Sequence, residues 1–257
     1  MGYYTGLLSK EWKISLKSQW QNHLFILIFW IVGVGVSLSI TEPSVAVAIS
    51  LTIISIHIFY MGTDMVMNLV REQKLRMWLY NPNPVRSLIS SKLVISLINC
   101  LISISFAIVF YTISIFISGE PFLQGNTLIG AMSLIWSILG VGVYLCVWAV
   151  YFWSQYASAR GKRYEVIRAI QSGFIAYMAF QVHKGFIQST GFDSLKEIGS
   201  FPAVSVGTKV TESADGFQEI SMGVTMAEFS FGLVAVFLLI SMLLFFLTVR
   251  NVKKIEI

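Results

Sequence analysis

The sequence predicts an all-α integral membrane protein with six transmembrane helices and both termini on the cytoplasmic side. Three observations carry this. Of 257 residues, 56% are hydrophobic and only 12% charged, and the mean hydropathy is +0.74. Apolar runs long enough to cross a bilayer recur from end to end. Fifteen of the eighteen Lys and Arg residues fall in alternate connections and the two tails, the positive-inside pattern. A soluble chain of this length would have to keep its surface wet; here the apolar excess faces lipid.

The predicted spans run over 24–40, 45–67, 88–118, 127–153, 169–187 and 229–249. Backbone groups inside lipid must satisfy one another, so these spans are helices. The basic side holds Lys10, Lys13 and Lys17, then Arg71, Lys74, Arg76, Arg86 and Lys92. It also holds Arg160, Lys162, Arg163 and Arg168, and finally Arg250, Lys253 and Lys254. The opposite side has Lys184, Lys196 and Lys209 and most of the acids. A net charge of +5 therefore reflects membrane topology, and no nucleic-acid partner is expected. No small-residue cleavage site follows the first apolar run, so no cleavable signal peptide is expected. Cys100 and Cys146 both sit inside apolar runs and read as free thiols.

The whole chain, 1–257, reads as one transmembrane domain with three further segments. Residues 1–23 place Tyr4, Leu8, Trp12, Leu16 and Trp20 four apart, with Lys10, Lys13 and Lys17 on another face. This pattern predicts an amphipathic helix lying in the interface. Residues 71–87 form a basic loop centred on Trp78, Leu79 and Tyr80, where Pro82 and Pro84 forbid a continuous helix. Residues 188–227 read as a broken external segment of short helices and turns, interrupted by Pro202, Gly191, Gly199, Gly207 and Gly216.

Enzyme motifs are missing from the sequence. It has no Gly-x-Ser-x-Gly, no His-Glu-x-x-His and no phosphate-binding P-loop. We therefore expect no catalytic residues, no resident metal and no cofactor. The most informative intramembrane feature is on the second span. Ser50, His57 and Asp64 lie seven apart and share a helix face, with Tyr60 beside it. A carboxylate at membrane depth faces protein or water. The stripe is either the lining of a transport pathway or a structural seam bonded to Ser96, Asn99 and Ser103 of the third span. A second stripe, Gln171, Phe174, Met178 and Gln181, marks the fifth span as pathway-lining or as plain packing.

The loop after the second span carries a resemblance. Arg71-Glu72, Leu79, Pro82, Pro84 and Arg86, with Lys92 heading the third span, resemble the pattern of type-2 ATP-binding-cassette (ABC) transporter permeases. The architecture is similar over the whole chain and the motif over about twenty residues. The resemblance implies a bacterial plasma-membrane exporter subunit. Arg71, Glu72, Lys74, Arg76, Trp78, Leu79, Tyr80 and Arg86 would couple to a separate ABC ATPase subunit, which would bind ATP and Mg. A second permease copy, identical or paralogous, would complete the pathway for an amphipathic peptide, antibiotic or lipid-like substrate. The chain departs from glycan exporters in its long external segment and is more similar to small peptide exporters, such as those for phenol-soluble modulins. The alternatives are an ion-coupled secondary transporter or channel using Asp64 and His57, and an intramembrane enzyme.

Overall fold

The computed structural model describes residues 3–74, 83–119, 127–160, 163–212 and 218–254. Their order is α1 (Tyr3–Ser39), α2 (Ser44–Ile56), a 3-10 segment (His57–Phe59), α3 (Tyr60–Lys74), α4 (Val85–Ser118), α5 (Thr127–Ala159), α6 (Glu165–Ile187), α7 (Thr190–Glu197), β1 (Ser200–Glu212), β2 (Gln218–Ser230) and α8 (Phe231–Lys253). Among the described residues, five helices are long and apolar enough to cross a membrane: α1, the combined α2–α3 unit, α4, α5 and α8. The protein is a multi-pass membrane protein. Large apolar side chains such as Phe25, Phe29, Leu239 and Leu243 stand exposed on the outside of the bundle, as lipid contact requires.

The fifth predicted span, α6, is long enough at 23 residues but is not among those five. Arg168, Gln171, Gln181, His183 and Lys184 lower its hydropathy. It runs back along α5, because Arg168 meets Gln155 near one end and His183 meets Tyr144 further along.

Two bundles meet along α5. In the first, α4 lies parallel to α1 and antiparallel to α2–α3. Tyr4, Gln19 and Trp30 of α1 bond Ser90, Asn99 and Ser114 of α4 in order along both helices. In the second, α6 and α8 pack on α5 around Val147, Tyr151 and Leu244, with Ile175 and Ile240 against them. Small residues let the two bundles approach. A side chain on Gly62 would stand 3.6 Å from the Cys146 backbone, and one on Gly142 only 3.4 Å from the Ile58 carbonyl.

Two expectations change. Residues 3–23 are not a separate interfacial helix: α1 is continuous over 37 residues, about 55 Å at 1.5 Å per residue. Its first turns run beside α4. The physical reason is the face defined by Leu7, Glu11, Ser15 and Gln19. All four are buried, while Trp20 of the aromatic face is 75% exposed.

The external segment also differs. A short helix is present, but 200–230 form an antiparallel hairpin with Val204 opposite Met226, Val206 opposite Val224 and Val210 opposite Ile220. Alternate positions on both strands are apolar or β-branched, a period of two that favours strands over turns. Gly207, which suggested a break, lies within β1 opposite Gly223. Pro202 is tolerated because a two-stranded ribbon consists only of edge strands.

The hairpin returns to the bundle through a tight joint. Ser230 Oγ donates to the Leu195 carbonyl at 2.6 Å and accepts from the Leu233 amide, capping α8. At Gly232 a Cβ would stand 2.5 Å from the Leu195 carbonyl oxygen, a backbone atom that cannot swing away. Gly232→Ala should therefore cost about 1–3 kcal/mol through overpacking. Thermal unfolding in detergent should show a lower midpoint for this variant, while Gly140→Ala, which meets nothing within 4 Å, should match wild type.

Candidate functional site

The stripe Ser50, His57 and Asp64 of the second span is taken up by α4. Ser50 Oγ lies 2.7 Å from Ser114 Oγ, which also accepts the Trp30 indole N–H at 2.9 Å. His57 Nδ1 donates to the Ile53 carbonyl at 2.7 Å, so in the neutral ring Nε2 accepts from Ser103 Oγ at 2.9 Å. Asp64 accepts from Ser96 Oγ at 2.7 Å, from Asn99 Nδ2 at 3.2 Å and from Asn68 Nδ2 at 3.4 Å. Gln19 of α1 donates in turn to Asn99. Ser50, His57 and Asp64 are all buried. Tyr60 is half-buried beside them, its hydroxyl 3.5 Å from Asn22 of α1. The bonds to Ser96, Asn99 and Ser103 are those of the structural-seam alternative.

The seam ends in an ionic cluster. Lys92 of α4 is almost fully buried, its Nζ 2.6 Å from Glu11 of α1 and 3.0 Å from Glu72 of α3. Lys10 closes the set from the surface, 3.4 Å from Glu72 and 3.7 Å from Glu11. Three helices distant in sequence are thereby tied at one point. Glu72 belongs to this intramolecular cluster and is not free for a partner surface. Its neighbour Arg71 is exposed, as is Arg86, whose guanidinium lies over the Phe246 ring at 5.7 Å. Arg76, Trp78, Leu79 and Tyr80 lie outside the described residues, as does the side chain of Lys74.

The second stripe faces outward. Gln171, Phe174, Met178 and Gln181 are all exposed, and no residue of α6 is buried. The opposite side of α6 holds it to the bundle: Tyr144 bonds His183, and Trp148 and Phe237 pack around the same imidazole. Sequence reasoning missed Glu11, Ser15 and Gln19, although their spacing of four from Leu7 marks a single face. It also missed the pairing of Tyr144 with His183.

Among the described residues no group of three or more His, Cys, Asp or Glu side chains is placed to hold a metal ion. Compared with protein-family models, curated proteins and solved structures, the chain has no match.

Removing the cation from the cluster leaves two buried carboxylates facing each other. Breaking a buried pair in this way costs about 3–5 kcal/mol, whereas replacing the whole set by neutral groups is far milder. Lys92→Met should therefore sharply lower the yield and melting temperature of the purified protein. Adding Glu11→Gln and Glu72→Gln to Lys92→Met should restore most of the loss. Equal instability of the single and triple variants would show that the ion pairs are not what holds α1, α3 and α4 together.

Proposed function

We propose that this chain is the membrane-spanning permease subunit of an ABC exporter in the bacterial plasma membrane, working as two copies with a separate ATPase. The observation that carries the reading is α6. It is held on one side only, and its free side presents Gln171 and Gln181 among apolar residues. Amide groups left in hydrocarbon without partners cost about 2–7 kcal/mol each. A polar surface or water must cover them, and a second permease copy across a shared pathway supplies both. In this reading α6 crosses the bilayer as a sixth span, both termini are cytoplasmic, and the hairpin lies outside.

The coupling element is the segment between α3 and α4. Exposed Arg71 and Arg86 flank it, and Trp78, Leu79 and Tyr80 at its centre would dock on the ATPase. ATP hydrolysis in that partner supplies the driving free energy. A push on this segment reaches α3 through Glu72, and Lys92 passes it to α4 and, through Glu11, to α1. Closure and opening of the pathway then follow as movements of whole helices. The substrate class is an amphipathic peptide, antibiotic or lipid-like molecule, suited to a wall that mixes amides with Phe174 and Met178.

Two experiments bear on this. In native membranes, Gln171→Cys and Gln181→Cys should each cross-link between copies with a short bifunctional thiol reagent. Ile175→Cys, on the bundle side, should not, and the native Cys100 and Cys146 are buried and stay silent. Monomer bands for both glutamine positions would remove α6 from the copy interface. Separately, Trp78→Ala combined with Leu79→Ala should lower co-purification of the ATPase or uncouple its hydrolysis, because aromatic anchors carry about 2 kcal/mol or more each. Wild-type association and hydrolysis in that variant would exclude this loop as the coupling element.

A further inference from the structure

Among the described residues, the buried polar set at the lysine-rich end of the first bundle is short of one positive charge. Asp64 is only 7% exposed, and its three hydrogen-bond donors, Ser96, Asn99 and Asn68, are neutral. No ion pair reaches it among the described residues. Lys92 is already shared between Glu11 and Glu72, and Glu11 Oε1 still lacks a hydrogen-bond partner. Lys92 therefore acts on Asp64 only from a distance, its direct contacts being taken by Glu11 and Glu72. Ser96 and Asn99 stand one and two turns further along α4 than Lys92, about 6–10 Å deeper. An uncompensated carboxylate at that depth is costly.

We infer that the Asp64 seam binds a single monovalent cation, a proton or a sodium ion, between α3, α4 and α1. Both forms fit the groups present. A proton on Asp64 would be donated to Ser96 Oγ at the observed 2.7 Å. A sodium ion would take the carboxylate together with neutral oxygens from Ser96, Asn99, Asn68 and Gln19, since side-chain amides can turn either end toward the site. The inference does not rest on the exporter reading.

The other titratable groups around the seam are His57, Tyr60 and Glu72 on the same span, Lys92 and Cys100 on α4, Cys146 on α5, and Lys10, Glu11 and His23 on α1. The test must separate Asp64 from these. The full chain in nanodiscs is melted first with sodium chloride replacing choline chloride at constant ionic strength, then across pH 5.5–8.5 without sodium. In the sodium case, the wild-type midpoint rises by a few degrees with sodium. In the proton case, it ignores sodium and rises as pH falls, because the folded state holds a proton that the unfolded state has released. Asp64→Asn, close in shape and neutral, abolishes whichever response is seen. A wild-type midpoint flat to both ions, or the same response in Asp64→Asn, overturns the inference. Should Asp64→Asn fail to fold, infrared spectra of wild-type protein with isotope-labelled aspartate decide. A protonated aspartate band in sodium-free buffer, or its replacement by a sodium-sensitive carboxylate band, supports the site. An ordinary carboxylate band insensitive to sodium rules it out.

Discussion

Lys92 lies with 1% of its side chain exposed between two carboxylates from different helices. Burying an ammonium group is tolerable only when its charge is met at close range, and Glu11 and Glu72 meet it at 2.6 and 3.0 Å. That requirement fixes the relative position of α1, α3 and α4 where hydrophobic packing alone would leave them free to slide. In a bilayer the constraint matters more than in water, because lipid tails compete equally with any apolar helix face. The continuity of α1 follows from it, since Glu11 can reach Lys92 only if the first turns stand alongside α4.

Above the cluster, hydrogen bonds at Asp64, His57 and Ser50 join α3, the 3-10 segment and α2 to α4, and Gln19 and Trp30 bring in α1. The second bundle uses a different material, an aromatic group of Tyr144, Trp148 and Phe237 around His183. Close contacts at Gly62 and Gly142 bring the halves together. A polar, register-specific half therefore sits against a half held by shape. The second half presents its polar stripe outward, on α6.

Five apolar spans were legible in the sequence because apolar runs are local signals. The stripe Ser50–His57–Asp64 was legible too, and so were its partners Ser96, Asn99 and Ser103 as one of two alternatives. Periodicity shows which residues share a face, but not which face meets which. For that reason Glu11 went unnoticed: its partners lie 61 and 81 residues away. The aromatic stripe on the first helix drew attention to the wrong side, because the polar side is the one that packs. The hairpin was misread because glycines in a strand and glycines in a turn look alike until their register is known. The segment at Trp78, Leu79 and Tyr80 lies outside the described residues, so only its flanks, Arg71 and Arg86, are placed.

The 3-10 segment His57–Phe59 sets the angular phase of the second span. In a plain α-helix fourteen residues turn through about 1400°, leaving Asp64 roughly 40° behind Ser50. Three residues wound at about 120° each instead of 100° advance the later half by roughly 60°. Asp64 then falls about 20° ahead of Ser50, which halves the offset and keeps both ends of the stripe over the serines of α4. Overwinding at His57 thus acts as a phase correction: relaxing it would rotate the lower half-span until the Asp64 carboxylate swung away from Ser96.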